Sequence, residues 1–341
     1  MDCKLRAKNC GGCPMLATEC AAQLKKKEAD VRALLGKYGP VAPIRGMETP
    51  YHYRNKVIST FAPAAGGKLP FNEDKGPGLL RHCLLRRGVA TGQVMVVLVT
   101  AQPVLPGAKN FVKALLAEAE KRGVPVTTVV QNYNPRRTSV VLGEDEKVLY
   151  GKGFILDTLC GKTYALSPRS FYQVNPVQTA VLYGLAVDAA HLTGKEVVLD
   201  AYCGIGTIGL TASDKARQVV GVEVNRDAVR DAIGNAKNNG VKNARFFAAD
   251  ATAWIREAAD AGQKADVVFM DPPREGSTPA FLESVARMAP KRVVYVSCNP
   301  ETMARDLALL TQKGYRAEGF TPVDMFPHST HCEVVGALVR V

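Results

Sequence analysis

The chain lacks any apolar run that approaches the ~20 residues needed to cross a bilayer as a helix. Its first residues also lack the apolar stretch of a secretory signal. No block of five or more like charges marks a disordered tail, and no internal repeat indicates a repeat architecture. The 341 residues suffice for one large or two medium-sized domains. We therefore expect a globular, monomeric, cytoplasmic protein with no membrane partner.

Positive charge is concentrated in the first half of the chain. Of the net charge of +12, residues 1–170 carry +13 and residues 171–341 carry −1. A basic half beside a neutral half indicates that one part binds a polyanion while the other carries out chemistry. An ordinary solvated basic face is the alternative interpretation. We favour a folded surface that binds nucleic acid.

Nine cysteines are present, and in a cytoplasmic chain cysteines serve more often as metal ligands or nucleophiles than as disulfide partners. Four of them, Cys3, Cys10, Cys13 and Cys20, fall within the first twenty residues. Two glycines separate Cys10 from Cys13 and allow the close approach of two ligands. This spacing suits an iron–sulfur cluster or a zinc ion.

From about residue 176 the sequence alternates between helical segments and short apolar strands. The predicted strands end near residues 200, 223, 248, 270 and 297. Such alternation predicts an α/β fold with a doubly wound, mainly parallel sheet. Ligands bind sheets of this kind at the carboxyl ends of the strands. The first half, with short strands between polar turns, predicts a smaller α+β domain.

A glycine-rich turn follows the first of these strands. Its notable members are Tyr202, Gly204, Gly206 and Thr207. Glu223 ends the next strand, where a carboxylate can accept hydrogen bonds from both ribose hydroxyls of an adenosine. Asp250, after the following strand, is a candidate partner for the adenine amino group. The turn lacks the third glycine of a dinucleotide fingerprint at the expected place, so NAD and S-adenosylmethionine remain alternatives here.

Two further signals lie at strand ends. Cys298 follows the apolar run 292–296, and Asp271 opens the sequence Asp-Pro-Pro-Arg after another strand. They favour S-adenosylmethionine as the cofactor. With the isolated Glu333 downstream, a thiol, a nucleotide-type loop and a carboxylate suggest covalent catalysis beside a bound cofactor. The alternative interpretation gives Cys298 a small core position and Glu333 an exposed strand position.

Five ordered motifs carry a resemblance to a known family. They cover residues 170–176 (Ser-Phe-Tyr-Gln-Val-Asn-Pro), 200–206, 271–276, 297–300 (Ser-Cys-Asn-Pro) and 324–333. In these motifs the chain resembles the S-adenosylmethionine-dependent RNA uracil-C5 methyltransferases, particularly the bacterial 23S rRNA branch that carries an iron–sulfur cluster. The resemblance implies a Rossmann-like class I methyltransferase domain and a smaller N-terminal α+β domain with a cysteine-ligated cluster.

The resemblance also implies roles for individual residues. Cys298 would be the nucleophile and Glu333 the base, with Asp271 as the runner-up for the base. The residues expected around the cofactor are Gln173, Tyr202, Gly204, Gly206, Thr207, Glu223, Asp250 and Asp271. The cluster would be [4Fe–4S], held by Cys3, Cys10 and Cys13. Cys20 is the nearest candidate for the fourth ligand, and Cys83 is a remote one.

The chemistry explains why these groups are needed. C5 of uracil is a poor nucleophile towards a methyl sulfonium, and addition of a thiolate to C6 places electron density on C5. Because only the thiolate attacks, we expect backbone N–H groups and basic residues near the strand end to lower the pKa of Cys298. A base must then remove the C5 proton. The target nucleotide has to leave its stack to reach the thiol.

Several residues of the first half are candidate RNA contacts. Those predicted to bind phosphate are Arg54, Asn55, Lys56, Arg81, Arg86 and Arg87, each of which has an ordinary surface charge or polar residue as its alternative. Phe171 is predicted to pack beside the flipped base, with a core aromatic as the alternative. For His328 and His331 we favour structural roles.

The domain organisation and function follow from these predictions. We expect a Cys-rich segment over 1–20, a helical segment over 21–51 that packs on the catalytic domain, a basic RNA-binding domain over 52–165 and a methyltransferase domain over 166–341. The expected activity is methylation of C5 of a uridine in 23S rRNA. A tRNA T-loop methyltransferase and a non-catalytic RNA-binding protein are the alternatives.

Overall fold

The computed structural model describes residues 12–61 and 78–341, which form two compact units. One unit, called here the α/β unit, combines residues 12–53 with Asn175–Val341. The other, the central unit, is Arg54–Val174. The segment 21–51 thus belongs to the same unit as the C-terminal part of the chain. Within the described ranges, no helix combines the length and apolarity needed to span a membrane.

Eight α-helices and fourteen strands make up the part of the chain that the structure describes. In chain order they are α1 (Cys20–Leu35), β1 (Lys56–Thr60), β2 (Leu80–Arg87), β3 (Val94–Thr100), α2 (Ala108–Lys121), β4 (Val126–Tyr133), β5 (Asp145–Tyr150), β6 (Ile155–Leu159), β7 (Lys162–Leu166), α3 (Pro176–Ala189), β8 (Val197–Ala201), α4 (Thr207–Ala212), β9 (Gln218–Glu223), α5 (Arg226–Asn238), β10 (Ala244–Ala248), α6 (Ala251–Asp260), β11 (Val267–Met270), α7 (Pro279–Met288), β12 (Arg292–Ser297), α8 (Pro300–Gln312), β13 (Tyr315–Val323) and β14 (Glu333–Arg340).

The central unit is built on a five-stranded sheet in the order β1-β2-β3-β4-β5. β3 and β4 are parallel and are joined through α2, whereas the other neighbours are antiparallel. The middle strand β3 reads Val-Met-Val-Val-Leu-Val-Thr and is buried along nearly its whole length. β-Branched residues favour such a strand because they pack well on a pleated surface. β6 and β7 form a separate hairpin.

The α/β unit contains a seven-stranded sheet in the order β10-β9-β8-β11-β12-β14-β13. The five strands from β10 to β12 in this order are parallel, and β14 lies antiparallel between β12 and β13. The predicted α/β sheet is confirmed. The strand order reverses at β8, which has β9 on one side and β11 on the other. In open α/β sheets, this reversal is where ligands bind, outside the carboxyl ends of the strands.

Side-chain caps start most helices of this unit immediately after a strand or turn. The capping residues are Asn175 for α3, Asn225 for α5, Asp250 for α6, Thr278 for α7 and Asn299 for α8. Each side-chain oxygen accepts a backbone N–H that the first turn leaves unpaired, which is worth ~1 kcal/mol per cap. Because the caps lie at one edge of the sheet, they also fix the loops that carry the candidate site residues.

Candidate active site

Cys298 lies in a tight turn between β12 and α8. The hydroxyl of Ser297 donates to the carbonyl oxygen of Asn299 (2.9 Å) and accepts the Asn299 N–H (3.1 Å). The Asn299 side chain in turn accepts the N–H of Glu301 at 3.1 Å. Cys298 itself is half-buried. The turn therefore holds the thiol in place while leaving it accessible.

Glu333 is the first residue of β14, which runs antiparallel beside β12. Ser297, the last residue of β12, pairs with Val334, so Cys298 follows that pair on one strand and Glu333 precedes it on the other, and the charge of Glu333 raises the pKa of the Cys298 thiol. Glu333 is only 2% exposed. The structure thus brings together the two residues that the sequence analysis singled out for catalysis.

Cys298, Asp271 and Glu333 form a thiol–carboxylate cluster whose pKa values are all raised. Burial, then the charges of Glu333 and Asp271, raise the pKa of the Cys298 thiol to about 11. The pKa of Glu333 is raised to about 8, mainly by burial and secondarily by the negative charge of Asp271. Burial raises the pKa of Asp271 to about 7. The expectation of a lowered thiol pKa was wrong, because desolvation and two carboxylates outweigh the nearby cation Arg274.

Alkylation of Cys298 should therefore accelerate with pH. We expect its rate with iodoacetamide to rise several-fold per unit between pH 7 and 9, because the thiolate fraction grows below a pKa of about 11. The rise stays under tenfold per unit because Glu333 ionises in the same interval and opposes the thiolate. In Glu333→Gln alkylation should be faster at each pH. Peptide mass spectrometry of the Cys298 peptide measures this, and a rate flat from pH 7 to 9 would contradict the raised pKa.

Arg274 is a neighbour of this cluster that the sequence analysis did not assign a role. It opposes the raised pKa values of both Cys298 and Glu333. Its guanidinium lies 2.7 Å from Nδ1 of His331, and its carbonyl oxygen accepts the Asn299 side-chain N–H at 3.0 Å. The signal was present in the sequence, since Arg274 completes the Asp-Pro-Pro-Arg motif. Arg274 is therefore a positive charge close to both Cys298 and Glu333.

The glycine-rich turn connects β8 to α4. Tyr202, Gly204 and Gly206 have φ angles of 64°, 54° and 83°, the left-handed region that favours glycine. A Cβ on Gly206 would also approach the ring of Phe246 at 3.1 Å. Tyr202, which has a Cβ in this region, packs its ring against Phe281 with centroids 5.2 Å apart. The chain therefore turns sharply at the sheet edge.

Acidic side chains stabilise this turn and its neighbours. Glu223 accepts the N–H of Gly204 at 3.2 Å through Oε2 and that of Asn225 at 2.8 Å through Oε1. Asp250 caps α6 through the N–H of Ala253 at 2.8 Å. A carboxylate oxygen has two lone pairs, so the same groups can accept further hydrogen bonds from a ligand. Thr207, at the start of α4, has its hydroxyl 3.2 Å from that of Tyr183.

Asp200 is a further acid at this edge that the sequence analysis left without a role. It is 1% exposed, and its Oδ2 accepts the N–H of Gly209 at 2.8 Å. Burial raises its pKa to about 7. Most of the predicted site residues, namely Tyr202, Gly204, Gly206, Thr207, Glu223, Asp250, Asp271, Cys298 and Glu333, thus lie at the carboxyl ends of the parallel strands or at the adjoining start of β14.

Two of the predicted phosphate contacts are buried instead. Arg81 is 1% exposed and donates to the carbonyl oxygens of Asn134 (2.8 Å) and Thr138 (3.3 Å). Arg86 is 2% exposed and donates to the carbonyl oxygens of Ser167 and Ser170 at 2.7 and 2.8 Å. Both guanidinium groups therefore hold loops of the central unit together. Their burial gives the predicted phosphate contacts of these two arginines no support.

The remaining predicted RNA contacts of the central unit differ in accessibility. Asn55 is buried, and its amide donates to the carbonyl oxygen of Gln173 at 3.0 Å. Lys56 is half-buried, and its pKa is lowered to about 8, mainly by burial and secondarily by the positive charge of Arg86. The exposed members are Arg54, Arg87 and Phe171, the last at 66%. Gln173, a predicted cofactor contact, belongs to the central unit and is largely buried.

The N-terminal cysteines are only partly described. Cys3 and Cys10 lie outside the described residues, and Cys13 and Cys20 are free thiols. Cys83, the remote candidate, lies on β2 of the central unit. Within residues 12–61 and 78–341, no group of three or more His, Cys, Asp or Glu side chains could hold a metal ion. The described donors therefore do not make up a cluster site.

Comparison with known proteins adds to this geometry. A family model described as tRNA (Uracil-5-)-methyltransferase matches residues 140–341. An uncharacterized RNA methyltransferase of Bacillus cereus (strain ATCC 10987) is 39% identical over 97% of this chain and 81% of its own length. An uncharacterized RNA methyltransferase of Listeria monocytogenes serotype 4b is 41% identical over 96% of this chain and 82% of its own length. The structure of Pyrococcus abyssi tRNA (uracil-54, C5)-methyltransferase with S-adenosyl-L-homocysteine has a TM-score of 0.77 at 27% identity, covering 96% of this chain and 86% of that chain.

Proposed function

Because the chain belongs to the tRNA (uracil-5-)-methyltransferase family of S-adenosylmethionine-dependent RNA methyltransferases, we propose that it methylates C5 of a uridine through Cys298 and Glu333. The observation that supports this proposal is the pairing of β12 with β14, since Cys298 directly follows the one strand, Glu333 opens the other, and the charge of Glu333 acts on the pKa of the thiol. A nucleophile and a base side by side are what addition to C6 and proton removal from C5 require.

The residues at the sheet edge fit S-adenosylmethionine better than NAD. The edge carries the carboxyl groups of Asp200, Glu223, Asp250 and Asp271, which attract a sulfonium and an ammonium group but repel a pyrophosphate. Glu223 and the backbone around Gly204 would hold the ribose and methionine parts. When bound, the cofactor supplies an electrophilic methyl group.

The protein's own groups carry the other steps. The Cys298 thiol first loses its proton to solvent; the thiolate sulfur then forms a bond to C6, and the electron pair of the C5–C6 double bond moves towards C5 and the O4 carbonyl. After C5 has accepted the methyl group, Glu333 removes the proton from C5. The electron pair restores the double bond and expels the sulfur as thiolate. A carboxyl group with a pKa of about 8 is suited to accept and release a proton near neutral pH.

We propose 23S rRNA as the substrate. The cysteine spacing that resembles the rRNA branch supports this choice, and the net charge of +13 over residues 1–170 suits binding of RNA of either kind. A tRNA substrate is the second candidate, and the similarity to the Pyrococcus abyssi tRNA enzyme favours it. In either RNA the target uridine has to be flipped out of its stack before the thiol can reach C6.

Methylation of separate rRNA and tRNA preparations tests the function and the substrate together. The purified protein is incubated with 23S rRNA and, separately, with tRNA, both prepared without 5-methyluridine, and with a labelled methyl donor. We expect 5-methyluridine by mass spectrometry at a defined position of 23S rRNA. Label in tRNA alone would overturn the rRNA assignment. Bound cofactor without label in either RNA would overturn the proposed activity.

A further inference from the structure

The nine-residue loop 324–332 joins β13 to β14 and leads directly into Glu333. It contains the strained residue His328, whose φ of 65° lies in the left-handed region. Within the loop, the hydroxyl of Ser329 donates to the carbonyl oxygen of Phe326 at 2.8 Å. Most of the loop's other polar groups are held from outside, by residues before 54 and by the start of α3.

Lys27 on α1 forms the first of these contacts. Its ammonium donates to Oδ1 of Asp324 at 2.5 Å and to the carbonyl oxygen of Phe326 at 3.1 Å. The two side chains are 1% and 6% exposed. A buried ion pair is often no more stabilising than an apolar pair of the same volume, but it allows only one arrangement of its partners. It therefore fixes geometry more than it adds stability.

Gln23, one turn earlier on α1, forms the second contact. Its Oε1 accepts the N–H of His328 at 3.0 Å, and its amide nitrogen lies 3.2 Å from Nδ1 of the same residue. With Nδ1 as the acceptor, Nε2–H of His328 donates to the carbonyl oxygen of Pro50 at 3.0 Å. The ring of Tyr51 stacks on the imidazole, with centroids 4.9 Å apart. His328 is thus locked by residues that precede the central unit.

The same helix reaches the nucleophile. A cavity of about 650 Å³ is lined by Lys27, Val31 and Leu34 of α1 together with Cys298 and His331. One side of α1 therefore holds the loop before Glu333 and also forms a wall beside the thiol. No other helix that precedes the central unit is described in residues 12–53.

We propose that Gln23 and Lys27 are positioning residues that align Glu333 with the C5 proton, a role that rests on the proposed function. The register of β14 fixes the backbone of Glu333, and the loop anchored by α1 fixes the entry into that strand. A displacement of the base by about 1 Å costs on the order of 100-fold in rate. The N-terminal helix is therefore part of the catalytic apparatus, although it does not contact the reacting atoms.

The test compares two variants of the full chain with one control. Gln23→Met removes both contacts to His328 while keeping the side-chain volume. The double variant Lys27→Met/Asp324→Asn removes the buried charges together, so neither is left unpaired. Lys26→Met is the matched control, because Lys26 lies on the exposed side of α1 in a surface ion pair with Asp30. Hydrogen exchange of segment 324–333 is measured first, since it requires no activity.

We expect exchange in this segment to rise at least tenfold in Gln23→Met and in the double variant, but not in Lys26→Met. With RNA that carries tritium at uridine C5, tritium release should slow at least tenfold, while covalent adduct formed by Cys298 persists. The proposal is overturned if exchange is unchanged, or if adduct formation and tritium release fall equally. Absence of both reactions in the unmodified protein would instead count against the proposed function. The exchange rates would still show whether Gln23 and Lys27 hold the segment 324–333 in place.

Discussion

Replacing Cys298 with alanine is expected to abolish methyl transfer, with a loss of roughly 10⁴-fold or more in turnover. Without the sulfur no bond forms to C6, so C5 never gains the electron density that attacks the methyl group. The variant should still bind S-adenosylmethionine, because the glycine-rich turn and Glu223 are unchanged. The measurement is incorporation of labelled methyl into RNA, with cofactor affinity determined by calorimetry on the same protein.

The control for this substitution is Cys83→Ala. Cys83 is also a half-buried free cysteine, and burial raises its pKa too, but it lies on β2 of the central unit. Activity within about twofold of the unmodified protein is expected there. Methylation by Cys298→Ala at a rate within tenfold of the unmodified protein would remove the thiol from the mechanism.

Substitution of Glu333 by glutamine should trap the RNA on the protein. Addition of the sulfur to C6 and methyl transfer need no base at C5, whereas proton removal does, and its loss costs on the order of 10²–10⁴-fold. The methylated nucleotide then stays bonded to Cys298, because the sulfur leaves only when the C5 proton has gone. A denaturing gel should show a protein band shifted by the mass of the RNA, carrying methyl label.

Two further carboxylates make this prediction specific. Asp271→Asn tests the runner-up for the base, since Asp271 is also buried and has a pKa raised to about 7. Glu301→Gln is the neutral control, an exposed carboxylate three positions after Cys298. Labelled adduct in Asp271→Asn but not in Glu333→Gln would transfer the role of base to Asp271. Adduct in neither would remove the covalent pathway.

The sequence was a good guide to the edge of the sheet. Short apolar runs predicted the parallel strands, and the residues that follow them, such as Tyr202, Asp271 and Cys298, were assigned to one edge because carboxyl ends of parallel strands share an edge. The insertion of β14 between β12 and β13 was not predictable in the same way. It depends on pairing between segments far apart in the chain, and local periodicity carries no information about which strands become neighbours.

The central unit was harder to predict because its arginines can either bind phosphate at the surface or donate hydrogen bonds to carbonyl oxygens in the interior. Arg81 and Arg86 are among the basic residues for which the sequence favours phosphate contacts. In the structure both arginines point from β2 into buried sites where backbone carbonyl oxygens accept their N–H groups. The net charge of a sequence counts buried and exposed residues alike. The net charge of the first half therefore overstates the positive charge that is accessible to a polyanion. The exposed Arg54 and Arg87 are the better candidates.

The antiparallel position of β14 has a consequence for movement during turnover. Because Cys298 directly follows β12 and Glu333 is the first residue of β14, the backbone segments that carry the sulfur and the carboxylate separate only if the pairing of β12 with β14 breaks. Such ladders in a sheet interior open only with a large part of the domain. The spacing of these two backbone segments is therefore constant during turnover, while the loop before Glu333 determines how the carboxylate is aimed, and the nucleotide has to move to reach both groups.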